Sequence, residues 1–113
     1  MAILDRESTA GGLVVRLEQE GERVVVRASG ELDATSATGL ETKLREAIQA
    51  SSSGVILDLG GVTFIDSIGL RILIAAATLS HAGWREFSLV RASVQVRQVI
   101  EASGVEDLLP LVD

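Results

Sequence analysis

Val55-Ile56-Leu57-Asp58-Leu59 is apolar at every position but one and shows no alternation. A run this short and this rich in branched residues reads as a strand, and a strand without alternation is one covered on both faces. Such a strand lies inside a sheet flanked by helices, so it confines the chain to α/β layers. The material is sufficient: 113 residues, 47% of them hydrophobic, suit one domain around one core. Aromatic residues are only 3%, so the core is built from Val, Leu, Ile and Ala, which favours sheet-and-helix layers over an aromatic-pinned sandwich.

The flanking sequence supplies the neighbours. Leu13, Val15 and Leu17 alternate with Val14, Arg16 and Glu18, the period of a half-buried strand. After the polar turn Gln19-Glu20-Gly21-Glu22, the β-branched run Val24 to Ala28 completes a hairpin that ends at Gly30-Glu31-Leu32-Asp33. The period then changes. Leu40, Leu44, Ala47 and Ile48 form the stripe of an amphipathic helix, which Asp33, Thr35, Ser36 or Thr38 could cap and Ser51-Ser52-Ser53-Gly54 ends. From Ser67 to Leu79 the chain is apolar nearly all round, which predicts a helix buried over much of its circumference and stopped at His81-Ala82-Gly83. Phe87 to Val90 is a further short strand. Ser93 caps a last helix striped by Val96, Val99 and Ile100 and stopped by Ser103-Gly104. Leu108, Leu109, Leu111 and Val112 dock a final segment that Pro110 keeps out of a long helix.

Residues 1–12 have no sustained period and read as a flexible tail, which leaves 13–113 as the single domain. The order is β-β-α-β-α-β-α plus a C-terminal segment. Right-handed crossovers make the later strands parallel, and the hairpin adds the first strand antiparallel at one edge. The expected α/β fold is thus a mixed sheet of four or five strands, with helices starting near Thr35, Ser67 and Ser93 and a core that includes Leu44, Leu57, Ile72, Leu73 and Ala76. Loops 30–36 and 60–67 leave parallel strands on one side of the sheet, where ligands and partners usually bind.

Composition removes several function classes. Cysteine is absent, so thiolate chemistry, disulfides and cysteine-ligated zinc are excluded, and His81 alone cannot build a multi-histidine metal site. The net charge is -6, and nine arginines and one lysine are scattered without a basic stripe, unlike the surface of a nucleic-acid binder. The start, MAILDRESTAGG, lacks the basic flank and apolar run of a signal peptide, and no apolar stretch approaches the ~20 residues of a membrane helix. A cytoplasmic protein is expected.

The segment from Asp58 to Leu70 ends in Asp66-Ser67 at a helix start. A purely structural reading accounts for both residues: Ser67 N-caps the helix and Asp66 favours its positive end. A hydrolase reading fails, since a serine nucleophile needs G-x-S-x-G and a histidine, whereas His81 lies more than three helical turns away. His81 reads as an end residue complementing the helix dipole. Gly60-Gly61 lacks the GxxxxGK[ST] pattern of a phosphate loop.

The whole string nevertheless resembles the signature of the STAS domain family of sulphate transporters and anti-sigma factor antagonists. In the bacterial antagonists a strand ending in D-L leads through a glycine-containing loop to a D-S-x-G helix start, matched here by Asp58-Leu59, Asp66, Ser67 and Gly69. Gly30-Glu31-Leu32-Asp33 is similar to the motif before their first helix. The stretch Val96 to Pro110, with its Ser-Gly stop and Asp-Leu-Leu-Pro, is similar to their ending, so the likeness spans about Leu13 to Asp113.

The resemblance implies a non-enzymatic antagonist, with no cofactor, no metal and no catalytic residue. It binds an anti-sigma factor that is also a serine kinase of the histidine-kinase-like ATPase fold, and so releases a sigma factor. The kinase phosphorylates the serine after the aspartate, which maps onto Ser67, and a phosphatase reverses it. The partner surface then comprises Asp33, Thr35, Thr63, Asp66, Ser67, Ile68, Gly69 and Arg71. Many members carry a second small polar residue where Ile68 stands, so the shape of the contact differs here. Phosphate on Ser67 adds about -1.5 to -2 charge beside Asp66, and is expected to lie over free amides at the helix start. Two other readings stand beside this one: an interaction module in a stress-signalling complex, or an accessory subunit of a lipid or anion transporter. Nucleotide binding has the least support.

Overall fold

The computed structural model describes residues 5–81 and 86–112. Its strands are β1 (Asp5–Ala10), β2 (Leu13–Glu20), β3 (Arg23–Leu32), β4 (Gly54–Ile65), β5 (Glu86–Val90) and β6 (Leu111–Val112). Its helices are α1 (Ala37–Ala50), α2 (Ser67–His81) and α3 (Val94–Ser103), followed by a short 3₁₀ turn over Glu106–Leu108. The strands form one sheet in the order β1-β2-β3-β4-β5-β6, antiparallel through β3 and parallel from β3 onward.

The period-two pattern has the expected outcome. Leu13, Val15 and Leu17 are buried, and antiparallel pairing sets Val15 opposite Ala28 and Leu17 opposite Val26. Parallel pairing carries the same face across β4 and β5, with Val26 beside Leu57 and Leu57 beside Leu89. On this face α1 brings in Leu40, Leu44 and Ala47, and α2 brings in Leu70, Leu73 and Ala77, closing one apolar core. Ser93 caps α3 by accepting a hydrogen bond from the Val96 amide, and Gly104 ends it in the left-handed conformation, φ 70°. The hairpin turn at Gly21, φ 63°, requires glycine for the same reason.

The structure corrects four expectations. The sheet has six strands among the described residues, not four or five. The tail expected over 1–12 contains β1, which pairs along β2 from Asp5↔Glu18 to Ala10↔Leu13 and displaces the hairpin from the edge. Backbone pairing to an open strand edge needs no apolar period, so the tail composition concealed a strand.

The third correction concerns β4, which is not sandwiched between helices along 55–59. Ile56 and Asp58 share the opposite face with Arg16, Glu18 and Arg27, away from α1 and α2. Finally, α2 is not buried nearly all round: Ser67, Ile68, Arg71, Ala75 and Thr78 form an exposed stripe, and Ile72 is only half-buried. Of the expected helix stop at His81-Ala82-Gly83, α2 is described through His81, while 82–83 lie outside the described residues.

Candidate functional site

Because β3, β4 and β5 run parallel, their exits gather at one end of the sheet, together with the β1–β2 turn and the helix starts. The chain leaves β4 at Ile65, and the Asp66 amide donates to the Leu32 carbonyl at 3.2 Å, so Asp66 is the last residue held by the sheet. Its carboxylate Oδ1 then accepts from the Ile68 amide at 3.0 Å and the Gly69 amide at 2.9 Å, and its carbonyl accepts from the Leu70 amide. Asp66 is therefore the N-cap of α2, and Ser67 is its first helical residue, exposed.

This reverses the expected roles of the pair. The amides that were to receive a phosphate on Ser67 are occupied by Asp66, so the Ser67 hydroxyl stands on the surface without a structural duty in capping. Asp66→Ala is expected to destabilise the fold by about 0.5–2 kcal/mol. Ser67→Ala should stay within about 0.5 kcal/mol of the parent. Urea denaturation of both variants measures the difference, and a larger loss from Ser67→Ala would refute the assignment.

The neighbouring loop is stiff for its own reasons. Asp33 Oδ1 accepts from the Thr35 hydroxyl at 2.6 Å and the Thr35 amide at 2.9 Å, which hold its carboxyl below the ordinary carboxylate range. Ser36 Oγ accepts from the Asp33 amide and donates to the Glu31 carbonyl, so a buried serine ties the loop to β3. Asp33 thus organises the loop and does not cap α1 with its side chain. The β1–β2 turn abuts the same loop: a Cβ on Gly11 would stand 2.5 Å from Thr35 Oγ1, and Gly11 is also left-handed, φ 57°. This position accepts only glycine, and it brings the N-terminal hairpin to the site.

Of the residues expected on the partner surface, Asp33, Thr35, Thr63, Asp66, Ser67, Ile68 and Arg71 collect at this end with their side chains exposed or half-buried. Gly69 does not share that surface. It is buried, and a Cβ there would meet the Leu32 carbonyl oxygen at 2.7 Å and Leu32 Cγ at 2.8 Å, so it is a point of close approach between α2 and β3. Two residues that sequence reasoning passed over belong here. Phe64, one of few aromatic residues in the chain, is 49% exposed beside the loop, and Val94 is exposed at the start of α3. With Ile68, 37% exposed, they give this end of the sheet exposed apolar residues. The rarity of Phe in the sequence was the available signal for Phe64.

Comparison with known proteins agrees with this fold. The family model described as the STAS domain matches residues 14–113. An anti-sigma F factor antagonist of Paenibacillus polymyxa is 26% identical over 102 residues, 89% of this chain and 87% of that protein. The crystal structure of an anti-sigma factor antagonist from Mycobacterium paratuberculosis superposes with a TM-score of 0.73 at 27% identity, over 88% of this chain and 84% of that one. The Bacillus cell fate determinant SpoIIAA in its phosphorylated form gives a TM-score of 0.62 at 26% identity, over 88% of this chain and 91% of that one.

Proposed function

The chain belongs to the STAS domain family, and from that premise we propose that it is an anti-sigma factor antagonist that works by binding, switched by phosphorylation of Ser67. The observation that carries this reading is the position of the hydroxyl. Ser67 is exposed at the first turn of α2, released from capping by Asp66, at the strand-exit end that also carries the exposed Phe64, Ile68 and Val94. Exposed branched and aromatic residues suit a surface that is desolvated against a protein partner. A dianion introduced there must either carry water into the contact or be stripped of it, and both oppose association.

The relatives' names supply the partner class, an anti-sigma factor. That one relative exists in a phosphorylated form supports a covalent switch. The partner on this reading is a serine-kinase anti-sigma factor, with a phosphatase restoring the binding form, and the chain itself contributes no catalysis. The exposed stripe Ile68, Arg71, Ala75 and Thr78 extends the surface down α2 from the hydroxyl. No described helix is long and apolar enough to cross a membrane, and action in the cytoplasm follows from the proposed partner.

The direct test is incubation of the purified chain with the serine-kinase anti-sigma factor of its own organism and ATP. Intact-mass analysis is expected to find a single phosphate on the wild type and none on Ser67→Ala, while Ser67→Ala still forms the complex. Labelling that persists in Ser67→Ala would place the switch elsewhere.

A further inference from the structure

We infer that Asp58 is a positioning residue for this site: its carboxylate clamps the outer half of β4, and through it Asp66 and Ser67, in the register that presents them. The functional meaning of the inference rests on the reading of Ser67 above; the clamp itself stands on geometry alone.

The need for a clamp comes from the β3–β4 pairing. Arg27 lies opposite Asp58 but Ser29 lies opposite Gly61, so β4 advances three residues for two. Gly30 lies opposite Val62 but Glu31 lies opposite Phe64, so β4 again gains one. A strand with two such insertions has backbone groups displaced from the regular ladder at each bulge, and those groups need partners outside it. Asp58 stands at the last regular pair before the first insertion.

Its side chain reaches across that insertion. Asp58 is 6% exposed. Its Oδ1 accepts from the Gly60 amide at 2.8 Å, which provides a partner for the backbone at the insertion, and its Oδ2 accepts from Arg27 Nη1 at 2.7 Å, which anchors the carboxylate to β3. Arg91, at the exit of β5, brings Nε to 3.6 Å from Oδ1. Arg91 holds a left-handed backbone, φ 59°, unusual for a residue with a side chain. Two residues on, Ser93 Oγ donates to the Val62 carbonyl at 2.7 Å, so the segment leaving β5 braces the same half-strand from its other side.

The glycines leave no slack around the clamp. A Cβ on Gly60 would stand 3.0 Å from Asp58 Oδ1 and 3.1 Å from Arg91 Nε, and one on Gly61 would stand 2.5 Å from Ser29 Cβ. Removing the Asp58 carboxylate does not strand Arg27, which also pairs with Glu18 at 3.0 Å and Glu20 at 3.5 Å. The loss therefore falls on Gly60 and the residues that follow it toward Ser67.

Amide hydrogen exchange, read residue by residue by NMR on the isolated chain, tests this without any partner. In Asp58→Ala, the amides of 60–65 are expected to exchange on the order of ten-fold faster relative to the core amides of Val26, Leu57 and Leu89, the scale of one lost charge-assisted hydrogen bond. Asp58→Asn keeps an acceptor for Gly60 and is expected to fall between the parent and Asp58→Ala, which preserves the test if the alanine variant folds poorly. Equal acceleration at all amides would make Asp58 a general stabiliser and overturn the inference, and so would unchanged protection over 60–65. Failure of kinase labelling at Ser67 would leave either exchange result as it stands, so the two readings fail separately.

Discussion

Ser67→Asp is expected to weaken binding of the anti-sigma partner by about 2–5 kcal/mol, the range for an uncompensated charge in a desolvated contact, while leaving the fold as stable as the parent. The second half of that expectation follows from the local geometry. An acidic side chain in the first turn of a helix is favourable by about 0.3–1 kcal/mol, and the cap supplied by Asp66 is untouched by the change. Stability and affinity should therefore move independently, which a role confined to helix capping could not produce. Calorimetric titration of Ser67→Asp and Ser67→Ala against the partner, with melting curves for both, separates the two quantities. Equal affinity of the Asp and Ala forms would sink the proposal that charge at this position is the switch.

Leu73→Ala is expected to lower stability by about 2–5 kcal/mol, because it empties a side-chain volume that the surrounding strands and α1 cannot fully close. Leu73 is 0% exposed on the sheet-facing side of α2, within the cluster that includes Leu57 and Leu44. Ile72, one residue along the same helix, is only half-buried and should lose less on the same truncation. Urea unfolding of the pair, with the slope unchanged between variants, gives the comparison. A smaller loss from Leu73→Ala than from Ile72→Ala would show that α2 is rotated from the orientation described.

The fold was legible where short-range physics governs it. The alternation at Leu13, Val15 and Leu17 dictates which side of β2 is buried, since successive side chains of a strand point to opposite faces. The caps of α3 were equally readable, because Ser93 and Gly104 satisfy helix ends through their own stereochemistry. The neighbourhood of Ser67 was readable through resemblance rather than pattern: Asp66-Ser67 at a helix start reads by itself as a cap, and it was the D-S-x-G match that pointed to a surface site.

Three features were not readable, and each depends on contacts distant in sequence. β1 became a strand because β2 offers it an open edge, not because Asp5–Ala10 has a strand-like period. Which member of Asp66-Ser67 caps α2 was settled by the Asp66 carboxylate accepting from the Ile68 and Gly69 amides, at the end of a β4 that runs on to Ile65, past the Leu59 end that its apolar run suggested. Gly69 looked like part of a surface motif, yet the approach of α2 to Leu32 makes it a packing position.

By itself the sequence determined the α/β class, the order of elements after the first strand, and the end of the sheet at which the helix starts gather. Periodicity, turn residues and the direction of chain crossovers act over a few residues or by handedness alone. Only the tertiary structure decided the register of β3 against β4, the burial of Asp58 among arginines from two other segments, and the release of Ser67 from capping. Those outcomes depend on which backbone groups meet across the sheet, and residues as far apart as Arg27 and Asp58 come together only when the whole core has closed.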